Sequence, residues 1–343
     1  MEYSQKFIET KGVLFVMSFG KQAAVKQKPN RLPQKRNKNS LGAMQAKKGK
    51  VLFLLALPVI AYVIIFGYVP LWGLGYAFVK YRLGRPMLQC DFVGLKNFTV
   101  LFENPVIRKN IINSIRNTLG MAGINYLLLF LPMAFAIFVN ELRSAKFKKL
   151  FQTISTLPNF VSWVVVFSLA NALLSSTGLI NSLLVEWGWL EEPFEFFLTD
   201  KLVWIKLEIL ERWKGLGWSG IVYFAAIAGI DQEQFEAAAI DGAGRWARIR
   251  YITVPHLMPT VVVLLIMGMG RILNTGWEVY YIFENAYNRD WITTLDLYVY
   301  HLGLGQGMIS YSVAVGMMKS IIGITLFYVS NFIAKKVRGS GIA

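Results

Sequence analysis

The chain has 343 residues, 55% of them hydrophobic and 14% aromatic, with a formal charge of +16. A mean hydropathy of +0.45 is too apolar for an ordinary soluble domain and fits a chain with several bilayer-spanning helices. Twelve Lys or Arg against two Glu lie in residues 1–50, so +10 of the +16 sits in one tail, which speaks against a nucleic-acid surface, and the single cysteine, Cys90, excludes an internal disulfide and any Cys cluster for a metal.

That tail comes first. Its apolar run from Gly12 is too short to cross a bilayer and no small-residue cleavage site follows, so a signal peptide is not expected. The next stretch, KQKPNRLPQKRNKNS, is rich in Pro, Asn and Lys, and residues 1–50 are expected to be a disordered, solvated, cytoplasmic tail that binds no nucleic acid. Met44 offers an alternative start just ahead of the first span.

Six apolar stretches come next. The first begins at Val51 and contains Pro58 and Pro70, tolerable where bundle neighbours satisfy freed backbone groups. The others run from about Ile111 to Val139, Leu157 to Leu174, Leu216 to Ile230, Leu257 to Leu273 and Val313 to Ile333. The expected fold is therefore an all-α polytopic membrane protein with six transmembrane helices. Its expected parts are the tail at 1–50, a first helix and outer loop at 51–110, and a core of five helices at 111–343.

Six spans put both ends on one side, and the loops say which. Arg143, Lys146, Lys148 and Lys149 follow span two, Arg245, Arg248 and Arg250 follow span four, and Lys335, Lys336 and Arg338 follow span six. The opposite loops carry Glu186, Glu191, Glu192, Glu195, Asp200, Glu284, Asp290 and Asp296, with fewer bases such as Arg82, Arg85 and Arg289. The asymmetry predicts cytoplasmic termini. Trp187, Trp189, Trp204, Trp213 and Trp218 crowd the segment before and into span four, as in a helix near the interface.

Between spans four and five, residues 231–255 are polar, charged and punctuated by glycine. Asp231 is placed to cap a short helix with Gln234 at the capping-box position, Ala237 to Ala239 propagate it, and Gly242 stops it. A second short helix, with Trp246, Ile249 and Ile252 on one face, is expected to end at Pro255. Two short helices about a glycine turn make a knob suited to docking in another protein's groove.

Glu236-Ala237-Ala238, Gly242 after three residues and Ile252-x-Val254-Pro255 after nine more resemble the EAA loop of permease subunits of binding-protein-dependent ABC importers. Only Val254 replaces the usual Leu. The flanks WKGLGWSGIVYFAAIAGID, LPNFVSWVVV and YSVAVGMMKSIIGITL are similar to the carbohydrate branch, its poly- and oligosaccharide permeases in particular. The resemblance covers the chain from about Val51 onward and leaves the tail unexplained. It implies the type I importer permease (MetI-like) fold and a bacterial plasma-membrane location. The implied partners are a second homologous permease, two copies of a cytoplasmic ATPase that bind ATP and Mg, an extracellular binding protein and a saccharide. It also implies that Glu236, Ala237, Ala238, Asp241 and Gly242 couple to the ATPase. The chain has no G-x-x-x-x-G-K-[S/T], so energy is expected from a partner and no cofactor from this chain.

Polar groups within spans are costly unless they meet protein, water or ligand. Asn110, Asn113 and Asn117 share helical spacing entering span two, and Asn274, Glu278 and Tyr281 share it near the end of span five, beside Trp277. Amides, carboxylates and aromatic rings suit saccharides. Asn117, Trp163, Asn274, Trp277, Glu278 and Tyr281 are the substrate-path candidates, with helix–helix contact as the competing role for each asparagine. Gly268 and Gly270 either let span five bend or permit close packing. Catalysis and a metal site are not expected: the only histidines, His256 and His301, lie in no H-E-x-x-H, and no G-x-S-x-G occurs. Competing functions are an importer permease for an amino acid, peptide or phosphate, and an ion-coupled carrier, which would want ionisable groups deeper in the spans.

Overall fold

The computed structural model describes residues 52–200 and 202–338. The basic tail expected at 1–50 lies outside the described residues. The chain divides at Pro70 into two compact units, the first ending there and the second running from Leu71 onward. In the first unit lies most of α1, Leu52–Phe78, a helix long and apolar enough to cross a membrane. It passes through a π-turn at Ile64–Tyr68 and a 3-10 segment at Val69–Phe78.

The second unit opens with two short antiparallel strands, β1 (Val79–Lys80) and β2 (Asp91–Phe92), with Val79 opposite Phe92. Asn97 in α2 (Lys96–Glu103) donates to the carbonyls of Ala77 and Val79 and ties this corner together. Asn104 then caps α3 (Pro105–Leu127), its Oδ1 accepting from Val106 N–H at 3.0 Å with Pro105 in the first turn. After a short turn comes α4 (Leu131–Asn140).

Span three differs from its expected course. It is not one helix from Leu157 but α5 (Ala145–Thr156), a 3-10 turn at Leu157–Phe160, and α6 (Trp163–Leu174). Pro158 lacks the N–H that an unbroken helix would use. The carbonyl of Asn159, inside the break, accepts from Lys214 Nζ at 2.8 Å, and Ser162 Oγ restarts the helix by accepting from Val165 N–H. Next come α7 (Leu179–Glu186) and the long α8 (Val203–Ala228).

Among the described residues, five helices have the length and composition to cross a membrane. The expected fourth span is the second half of α8. The first half of that helix carries Lys206, Glu208, Glu211, Arg212 and Lys214, so α8 combines an apolar half with a charged one.

Asp231 Oδ1 accepts from Glu233 N–H at 3.1 Å and starts α9 (Gln232–Ile240) as the capping pattern predicts. Pro255, by contrast, ends nothing. From Arg245 the helix continues to Met269 as one element, α10, because a π-turn at Ile249–Thr253 leads directly into the turn that holds Pro255. The wider turn accommodates a residue that has no N–H to give. Close packing accounts for Gly268 and Gly270: a Cβ there would stand 3.1 Å from Tyr126 Oη and 3.0 Å from Phe327 Cβ respectively. The rest comprises α11 (Glu278–Phe283), α12 (Arg289–Ile292), α13 (Leu295–Tyr300) with a π-turn at His301–Gly305, and α14 (Ile309–Arg338).

Two apolar clusters hold the two ends of this helical unit. Met133 and Ala136 of α4 pack with Tyr223 and Ile227 of α8 and Leu257 and Val261 of α10, close to α9. At the opposite end, Met121, Leu207, Tyr280, Phe283, Ile292 and Leu297 join α3 and α8 to the segment after α10. Asn117 fastens the second end. Its Nδ2 donates to the carbonyls of Asp290 and Thr293, both at 3.0 Å, while its Oδ1 accepts from Arg116. Asn117→Ala would leave the Thr293 carbonyl without that donor, while the Asp290 carbonyl keeps Arg116 Nη2 at 2.8 Å, at a cost of about 1–3 kcal/mol. The detergent-solubilised protein should unfold at a measurably lower temperature, and an unchanged melting curve would contradict the fastening role.

Candidate functional site: a docking knob and a polar cavity

The knob is built by local rules. Helix α9 closes with the paired bonds of a Schellman end, Ala243 N–H to Ala238 O at 2.8 Å and Gly242 N–H to Ala239 O at 3.2 Å. Gly242 takes φ +77°, a conformation that side chains rarely adopt. Glu236, Ala237, Asp241 and Gly242 are exposed and Ala238 is half-buried. No residue of α9 is fully buried, and Ile240 and Trp246 stand 87% and 83% exposed around the turn. Of the three residues expected to share one face, Trp246 is exposed while Ile249 and Ile252 are half-buried. Arg245 lies 4.0 Å from Glu141 just past α4, so the knob also touches the end of span two.

A cavity of about 300 Å³ opens between α3, α8 and the end of α10. Asn125 and Tyr126 line it from α3, Glu208 and Glu211 from α8, and Arg271, Asn274, Thr275 and Tyr280 from α10 onward. Its two carboxylates are handled differently. Glu208 is nearly buried and accepts from Arg212 Nε at 2.5 Å, whereas Glu211 accepts from Tyr280 Oη at 3.2 Å. Arg271 is exposed into this space. Donors and acceptors of both charges therefore converge on one polar chamber, of a size that suits part of a small-molecule ligand.

The substrate-path candidates fall in different places. Asn274 lines this cavity. Trp277 stacks on Tyr300 at 4.3 Å between ring centroids, Tyr281 meets both rings, and Glu278 is exposed at the start of α11. Trp163 is half-buried against the apolar cluster, with Lys214 Nζ 5.3 Å from its ring. Asn117 is wholly buried, and neither it nor Trp163 lines the cavity; helix-to-segment contact is the role its bonds describe. Glu208, Glu211, Arg271 and Tyr280 were absent from the sequence candidates. The signal for the first two was there: carboxylates three apart in the half-helix leading into an apolar run.

A second polar cleft, of about 350 Å³, lies between the first turns of α3 and the segment from Glu284 to Gln306. At its base Glu284 accepts from His301 Nε2 at 2.8 Å and Arg289 Nε at 3.0 Å.

Similarity to known proteins agrees with this arrangement. Residues 130–339 match the family described as "Binding-protein-dependent transport system inner membrane component". The chain is 39% identical over 300 residues to protein LplB of Bacillus subtilis (strain 168), covering 86% of this chain and 92% of that one. It is 41% identical over 297 residues to the polygalacturonan/rhamnogalacturonan transport system permease protein YteP of the same organism, covering 85% and 90%. Among solved structures, a chain of a bacterial alginate ABC transporter, crystallised with its alginate pentasaccharide-bound periplasmic protein, superposes with a TM-score of 0.76 at 30% identity. That match covers 87% of this chain and 99% of the other. With a family match across most of the helical core and relatives aligned over nearly their whole length, the chain belongs to the inner-membrane components of binding-protein-dependent transport systems.

Proposed function

We propose that the protein is a permease subunit of an ATP-driven importer in the bacterial plasma membrane. With a second, homologous permease it forms the pathway for a poly- or oligosaccharide delivered by an extracellular binding protein. Two copies of a cytoplasmic ATPase, binding ATP and Mg, supply the energy. The observation that carries this reading is the exposed α9 knob, anchored between α8 and α10 at one end of the same helices that enclose a polar cavity nearer the other. A push on the knob is thereby transmitted through rigid elements to the chamber walls.

The basic clusters after α4 and in α14 favour placing the knob and both termini in the cytoplasm. Glu236, Ala237, Ala238, Asp241 and Gly242 are the coupling residues. In the chamber Glu211, Arg271, Asn274 and Tyr280 face the solute, with Trp277, Glu278 and Tyr281 along its approach. The names of YteP and the alginate transporter support a saccharide over an amino acid, peptide or phosphate.

Uptake by the complete complex in proteoliposomes tests the reading. Asn274→Ala should raise KM for saccharide about tenfold, the scale of one or two lost hydrogen bonds, with ATPase copurification unchanged. Unaltered uptake kinetics would remove Asn274, and with it the chamber, from the path.

A further inference from the structure

We propose that the cleft between the first turns of α3 and the Glu284–Gln306 segment is a second saccharide-binding site. It holds the trailing end of an oligosaccharide and makes import selective for chain length. The proposal rests on the saccharide reading above and adds a site, its residues and a consequence.

The cleft differs from the chamber in place and construction. Both sit along α3, Asn113 in the cleft and Asn125 in the chamber, about 18 Å apart along the helix axis at its ordinary rise. Asn117 and its bonds to the Asp290 and Thr293 carbonyls lie between them. A saccharide confined to the chamber does not touch the cleft, and the proposed trailing end is the part of a longer chain that reaches past Asn117.

The chemistry of the cleft suits sugar hydroxyls. Glu284, only 6% exposed in its side chain, accepts from Arg289 and His301, while the Thr293 hydroxyl gives its proton to the Arg289 carbonyl at 2.7 Å. Two donors leave about two of a carboxylate's four acceptor positions open. His301 Nε2 points its N–H at Glu284, and in the neutral ring that tautomer leaves Nδ1 as an acceptor. Asn113 and Gln306 add amides, which both donate and accept. Fixed acceptors beside freer amides fit an alternating rim of hydroxyl groups.

Beside His301, outside the lining of the cleft itself, stands an aromatic group that would offer the apolar face of a sugar ring a flat surface. Tyr281 stands 6.1 Å from the His301 ring and packs edge-on against Tyr300, which stacks with Trp277. Although one face of Trp277 is covered by Tyr300, Trp277 and Tyr281 remain 42% and 46% exposed. Nothing in the apolar clusters requires that exposure, and flat rings beside polar groups are the pairing carbohydrate recognition uses.

The test is uptake by the complete complex in lipid across two ladders of di- to hexasaccharides, one cut from polygalacturonan and one from a neutral glucan. The double variant Asn113→Ala with Gln306→Ala changes one half-buried and one exposed side chain on the cleft wall. It should raise KM for the longest saccharides about tenfold and leave the shortest within about twofold. His301→Gln, which keeps a donor to Glu284, should show the same length dependence in weaker form. An equal change at every length, or none at any length, overturns the cleft site while the chamber reading stands. Uptake of neither ladder by the unsubstituted complex overturns the saccharide reading itself, and the cleft site with it.

Discussion

Gly242→Asp is expected to leave the chain folded and inserted while reducing solute uptake by at least tenfold. A Cβ at Gly242 meets nothing within 4 Å, so the side chain has room in this protein. The φ of +77° there costs a residue with a Cβ about 1–2 kcal/mol, and Asp bears it better than most. Neither term unfolds a large helical bundle. The open space beside Gly242 is nevertheless where a docked ATPase would lie, between the exposed Ile240 and Trp246. A carboxylate there adds bulk and an unpaired charge to a surface that must be desolvated on docking. The variant should therefore reach the membrane at normal levels and lose ATPase on purification. Normal uptake with normal copurification would sink the coupling assignment.

The second large effect falls on the packing beneath the chamber. At Gly217 in α8 a Cβ would lie 2.1 Å from the carbonyl oxygen of Ser155 and 2.2 Å from its carbon, both backbone atoms of α5. Backbone does not rotate away as a side chain does, so Gly217→Ala must force α5 and α8 apart. The expected cost is about 3 kcal/mol, the upper range for overpacking. Gly215 supplies the control, because a Cβ there meets nothing within 4 Å. Gly215→Ala should be neutral or stabilising by up to about 1 kcal/mol through helix propensity. Melting curves of the detergent-solubilised variants should separate clearly. Equal curves would mean that the two helices tolerate separation at Ser155.

What the sequence made legible was local. Asp231 and Gly242 bracket α9 as their chemistry dictates, since a cap and a left-handed turn depend only on residues within one helical turn. The apolar lengths that define most of the spans are equally local. Pro255 misled because its missing N–H is a local fact, while the π-turn ahead of it depends on how α10 packs against its neighbours. Asn117 stayed open between ligand and packing roles for a related reason: its spacing places it on a polar face of α3 but says nothing of the Asp290 and Thr293 carbonyls that take its amide. The chamber needed the fold outright. Tyr126 and Glu211 lie on two helices and Arg271 in the turn after a third, far apart in the chain, and no spacing rule joins them. Charge in the first half of α8 lowered its apolar signal, so the sequence marked the span only from Leu216 and left out the half that carries Glu208 and Glu211.

The most direct measurement is ATP hydrolysis by the purified complex in lipid, assembled from this chain, its companion permease, the ATPase and the binding protein. It would be measured with saccharides, amino acids, peptides and phosphate in turn. The account predicts stimulation that requires the binding protein loaded with a saccharide and that vanishes with Gly242→Asp. Stimulation by a solute of another class, or a complex that retains no ATPase, would contradict it.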